Sequence, residues 1–166
     1  MKESTYSKEI MKHFFHPKNI GEMKNPSGIG KVGNIVCGDV LWLYLKIKDN
    51  RIIDSKVQTF GCIVAIANSS IITTMVKGKT LGEALKVKKD DVIKKLGRPL
   101  PPIKIHCSVL AVEALHEAIY DYYSRNELAI PAKLKKEHER TKQTLDHIEH
   151  EHKEYVDLEK RALKTK

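Results

Sequence analysis

At the start of the chain, Tyr6, Ile10 and Phe14 recur at spacing four, with Met11 on the same side. That period predicts a short amphipathic helix over 4–15, with Ser4 as its N-cap. Residues 16–33 hold two prolines and four glycines. They predict a loop leading into an irregular edge strand. The period then drops to two. In "VLWLYLKIK" (40–48), Leu41, Leu43, Leu45 and Ile47 share one face, while Val40, Trp42 and Tyr44 share the other. "DN" (49–50) is a turn, and "RIIDSKVQTF" (51–60) is the returning strand of an antiparallel hairpin.

After Cys62 the pattern changes again. "IVAIANSSIITTMVKG" (63–78) is apolar nearly all round, with small residues inserted. It predicts a buried helix ending at Gly78. Two short helices are expected over 80–87, capped by Thr80, and over 88–97, ending at Gly97. "RPLPPIK" (98–104) is expected to be extended, because three prolines oppose a helix. "HCSVLAVEALHEAIYDYYS" (106–124) is a strongly amphipathic helix, with Leu110, Ala114, Ala118 and Tyr122 along one stripe. Beyond 133 the chain is highly charged and free of proline and glycine. Leu134, Thr141, Ile148, Tyr155 and Ala162 recur every seven residues. A long, mostly exposed tail helix with a thin apolar seam is expected, set to pack on the body or on a partner. The organisation expected is one domain over 1–127 and a charged helical extension over 128–166.

Composition narrows the class. Among 166 residues, 41% are hydrophobic, enough for an ordinary core. No apolar run approaches the ~18 residues needed to cross a bilayer, and the first residues lack the apolar stretch of a secretory signal. A cytoplasmic location is therefore expected. The formal charge is +9, from 30 basic and 21 acidic residues. The lysines are scattered among acids, without interleaved aromatics, so they describe a solvated surface rather than a nucleic-acid footprint.

Candidate chemistry begins with three cysteines, Cys37, Cys62 and Cys107. In a reducing compartment they are ligands, nucleophiles or packing residues rather than disulfides. Their separations announce no metal site, and burial as small apolar residues is one reading. Position argues for another. Cys37 lies in the loop before a strand, Cys62 at a strand end where a helix starts, and Cys107 in the first turn of a helix. Element ends converge at sheet edges, and helix N-termini favour thiolate. Three thiolates leave a tetrahedral metal one ligand short, with Asp39 and His106 adjacent to cysteines. Across Gly38 the strand period keeps Cys37 and Asp39 on one side. His106 also reads as a surface or capping residue. A carboxylate is a hard partner for iron bound to sulfide, so a site using Asp39 would hold its metal loosely. His147, His150 and His152 in the tail read as a solvated helix face.

"YSKEIMKHFFHPKNIG", "GNIVCGD", "TFGCIVAIANSS" and "LPPIKIHCSVLAVEAL" resemble, in order, the motifs of the IscU/NifU-type iron–sulfur cluster assembly scaffolds. The resemblance spans roughly 4–124. It implies an α+β fold, a three-stranded antiparallel sheet packed against several helices. It implies that Cys37, Cys62 and Cys107 hold a nascent [2Fe–2S] cluster, with Asp39 as fourth ligand or regulator of release and His106 as the alternative. It also implies a scaffold and carrier rather than an enzyme. A cysteine desulfurase supplies sulfur and acceptor apoproteins receive the cluster. Leu100, Pro101, Pro102, Ile103 and Lys104 resemble the peptide gripped by an Hsp70-type chaperone, which works with a co-chaperone. Consecutive prolines suit that role, being preordered for binding. Ile63 and Val64 depart from the family, which has smaller residues there, and either shield a cluster or narrow access to Cys62. Neither nucleic acid nor membrane is expected as a partner. A homo-oligomer joined through the tail helix is one assembly the sequence allows. A second reading is a zinc-bound sulfur acceptor, with Zn2+ in the same Cys3Asp set. A cysteine hydrolase built on Cys107 and His106 is disfavoured, because helix neighbours point in different directions.

Overall fold

The computed structural model describes residues 6–34, 38–97, 100–151 and 153. Three strands form one antiparallel sheet in chain order: β1 (Gly28–Gly33), β2 (Val40–Lys48) and β3 (Arg51–Phe60). Asp49 and Asn50 have φ of 50° and 58°, the left-handed pair that matches strand twist in a two-residue hairpin turn. Leu41, Leu43, Leu45 and Ile47 are all buried, as the alternation requires. A bulge follows Lys46, which pairs with Asp54 while Ile47 pairs with Ile52. Ile53 is left over and exposed.

Helix α1 (Lys8–Phe15) packs on α2 (Ile63–Val76), and α2 packs on β3 and on α5 (Ile105–Arg125). The cap of α1 is Ser7, and Ser4 lies outside the described residues. Ser7 Oγ accepts from Ile10 N at 3.1 Å and donates to Leu96 O. The buried serines and Thr73 of α2 are bonded, whereas Asn68 Nδ2 has no partner among the described residues. Ser69 Oγ donates to Ala65 O at 2.7 Å, and Ser70 Oγ accepts from Lys18 N at 2.8 Å. Such bonding lets α2 bury polar side chains at little cost. Two short helices follow, α3 (Leu81–Ala84), held by a Thr80/Glu83 capping box, and α4 (Lys89–Lys95).

Two expectations change. Residues 98 and 99 lie outside the described set, but 100–104 is not wholly extended. Pro102–Lys104 forms a 3-10 turn that runs into α5, closed by Lys104 N to Pro101 O at 2.7 Å. Proline breaks a helix only where its missing N–H is needed, and at the first position it is not. The edge strand expected at the end of 16–33 is present, but it is not irregular. β1 is a regular edge strand, and its glycines admit α5. A Cβ on Gly28 would sit 2.1 Å from Ala118 O, and one on Gly30 2.0 Å from Ala114 O.

The tail helix α6 (Ala132–Glu151) packs on α5 and β1 through its apolar seam. Leu134 and Thr141 are buried, and Leu145 and Ile148 approach Gly33. Tyr155 and Ala162 lie outside the described residues. Polar pairs flank the seam. His116 and His138 bond Glu137 and Glu117 at 2.8 Å each, Arg140 meets Glu113 at 2.8 Å, and Tyr120 stacks on His138.

Candidate metal centre

Strand register builds the site. Val40 pairs with Phe60, so Asp39 just before β2 and Gly61 just after β3 lie side by side at one end of the sheet. The loop before Asp39 is closed by Asn34 N to Asp39 O and Gly38 N to Asn34 O, both 2.9 Å. Cys37 belongs to this loop and lies outside the described residues. Cys62 is the N-cap residue of α2 and makes no side-chain cap bond. Its backbone N donates to Asp39 Oδ1 at 3.3 Å. The 3-10 turn then delivers the first turn of α5, with His106 and Cys107, over the same end.

The donors converge. Cys107 Sγ lies 4.0 Å from Cys62 Sγ and 3.5 Å from Asp39 Oδ2, to which it donates. One ligand atom each from Asp39, His106 and Cys107 falls within 4.8 Å of the others. Tetrahedral zinc with bonds of about 2.0–2.3 Å spaces its ligands roughly 3.3–3.8 Å apart, so these three donors need to close by about 1 Å or a little more, and Cys62, outside that group, reaches it through Cys107. Carboxylate, imidazole and thiolate are all zinc donors, and imidazole and thiolate also ligate iron–sulfur clusters. The donor set fits either occupant. His106, read from sequence as an alternative, lies within the group.

Burial governs the electrostatics. Asp39 is 2% exposed and Cys107 1%. Burial pushes the Cys107 thiol well above its ordinary value, and Cys62 and Asp39 push it further. This corrects the expectation from its helix position: desolvation and negative neighbours outweigh the helix N-terminus. Lys104 is raised chiefly by the Cys62 sulfur, against a small opposing effect of burial, and so is the cation turned to this cluster. Leu100 is buried in the core, whereas Pro102 is exposed. The side chain of Ile103 is not described.

Gly61 was not legible as a site residue. A Cβ there would lie 2.6 Å from Asp39 Oδ1 and 2.9 Å from Ala65 Cβ. Its role depends on a register that no local pattern states. Of the two residues that depart from the family pattern, Val64 is fully buried in the core and so does not cover the centre, and Ile63 is half-buried.

Comparison with known proteins matches residues 5–129 to the family described as NifU-like N terminal domain. The iron-sulfur cluster assembly scaffold protein IscU 1 of Archaeoglobus fulgidus is 53% identical over 121 residues, 73% of this chain and 78% of that protein. The iron-sulfur cluster assembly scaffold protein IscU of Escherichia coli is 45% identical over 126 residues, 74% of this chain and 97% of that protein. Among solved structures, a nitrogen-fixing NifU-like protein (N-terminal) from Brucella abortus superposes with a TM-score of 0.61 at 19% identity. It covers 72% of this chain and 94% of that one, and shows the same fold.

Proposed function

Since this chain belongs to the NifU-like N-terminal domain family, we propose that it works as its IscU relatives are named, as a scaffold for iron–sulfur cluster assembly. It is a carrier of cargo and not an enzyme. The observation that carries the reading is the meeting of Asp39, Cys62, His106 and Cys107, from three separate stretches of chain, at one end of the sheet.

The finer reading is as follows. The cargo is a [2Fe–2S] cluster held by Cys37, Cys62 and Cys107, with Asp39 or His106 completing the set. Sulfur comes from a cysteine desulfurase, and the finished cluster passes to acceptor apoproteins. The scaffold unit is 1–127, and 128–166 is an extension. Residues 100–104 offer the chaperone grip. Supporting this, Pro102 is exposed at the approach to Cys107, so a protein bound there acts on the first turn of α5. Asp39 favours release, because a carboxylate binds iron–sulfur units less firmly than thiolate does.

The test is anaerobic reconstitution with iron and sulfide, read by metal and sulfide counts and by charge-transfer absorption. Two irons and two sulfides per cluster are expected. In Asp39→Ala the cluster should outlive that of the parent severalfold. Equal lifetimes would remove the carboxylate from the release step. The carboxylate, imidazole and thiol gathered there, all zinc donors, also favour a second reading, a zinc-bound sulfur acceptor. A colourless protein that keeps one tight zinc and refuses iron and sulfide would select it.

A further inference from the structure

A cavity of about 490 Å³ lies away from the metal centre, between the α3–α4 connection, α5 and α6. That volume is within the range of small-molecule sites. Its apolar wall is Leu85, Val87, Val109 and Val112. Lys86, Lys88 and Lys89 stand on its rim, exposed, and form no ion pair among the described residues. Of its three carboxylates, two are engaged: Glu113 by Arg140 at 2.8 Å, and Glu137 by His116 at 2.8 Å and Lys133 at 3.7 Å. Asp90 is the third, and with Lys86, Lys88, Lys89, Lys133 and Arg140 in the lining the cavity carries a net positive charge.

His116 closes one side of the cavity. It forms part of the cavity wall and is 8% exposed. Its Nδ1 is satisfied by Glu137, which requires the proton on that nitrogen. Its Nε2 is buried and has no hydrogen-bond partner among the described residues. That nitrogen is covered by protein atoms and does not face the cavity, so His116 gives the wall its ring and offers a ligand no hydrogen bond.

We propose that this cavity binds a small amphipathic carboxylate, with its hydrocarbon body on the valines and leucine and its charge at the lysine rim. The α6 side of the cavity, Lys133, Glu137 and Arg140, lies beyond residue 129, where the family match ends. The extension therefore completes a cavity whose other walls lie within the matched residues, and the cavity is separate from the cluster chemistry. It stands whether or not the scaffold reading holds.

Octanoate is the probe, titrated into the full chain and followed by methyl and imidazole NMR. Acetate supplies the charge without the body, and octylammonium supplies the body with the opposite charge. Saturable shifts at Val87, Val109, Val112 and His116 are expected with octanoate alone, at about millimolar affinity or better. The exposed double variant Lys86→Glu/Lys89→Glu should weaken binding at least fivefold with an unchanged melting midpoint, and Lys86→Arg/Lys89→Arg should retain it. Equal binding of octylammonium, an unaffected Glu variant, or no saturable shift would overturn the proposal.

Discussion

Gly61 shows how much one hydrogen atom decides at the metal centre. Any larger residue there must displace the Asp39 carboxylate or the first turn of α2. Gly61→Ala is therefore expected to weaken zinc binding by about tenfold, roughly 1.4 kcal/mol, while the far-UV spectrum stays that of the parent. A competition titration with a chromophoric chelator checks it, and parental affinity would show that the carboxylate is not a ligand. Cys107 makes a second prediction. Burial holds its proton on. A metal must displace that proton, so zinc affinity should rise with pH, by up to about tenfold per unit for each proton released. The same shift works the other way on the metal-free fold. A thiol that holds its proton more tightly when folded contributes stability below its ordinary value of 9.0 and loses it as pH rises past that value. At this scale Cys62, Cys107 and Asp39 were legible, because each sits at the end of an element, while Cys37 lies outside the described residues. Gly61 was not, since its neighbour across the sheet is 22 residues away in sequence.

At the scale of elements, the strongest test falls on β1. Gly30→Ala would place a methyl 2.0 Å from Ala114 O and 2.7 Å from Ala118 N, both backbone atoms of α5. A loss of about 3 kcal/mol is expected, measured by urea unfolding. Gly82→Ala is the control, because nothing lies within 4 Å of its added carbon. It should be neutral or slightly stabilising. If both behave alike, the close approach of β1 and α5 is not what holds the edge strand. The sequence disclosed β2, β3, α2 and α5 because period and length agreed. It foresaw an edge strand at the end of 16–33 but not its regularity or the role of Gly28 and Gly30, since glycine marks both a turn and a surface that another backbone must touch. It likewise treated Pro102 as a helix breaker when it opens the turn into α5. For the tail, the seven-residue spacing was visible. That the seam meets α5 and β1 depends on His116, Glu117 and Glu113 projecting outward to receive it, which a single helical pattern does not reveal.

For the whole molecule, ligands from the ends of distant elements meet only after the sheet and helices have assembled. Metal should then bind the folded chain far better than the unfolded one. At a hundredfold excess of free zinc over its dissociation constant, the gain is about 2.7 kcal/mol, worth roughly 5–10 °C in the melting midpoint for a chain of this size. Scanning calorimetry reads this directly, and an unmoved midpoint would mean the donors are not gathered beforehand. The contact of Gly28 and Gly30 with α5 bears on how such a centre works. Strand and helix touch main chain to main chain there, with no side chain between them to act as a cushion. A joint of that kind cannot slide or swing without parting. Cys107 stands two turns along α5 from Ala114, and Asp39 directly precedes β2, the strand beside β1, so both ride on the same welded piece. On the proposed function, the release of cargo is therefore expected through a change at the Cys62 cap or at the approach to α5 rather than by parting the helix from the sheet.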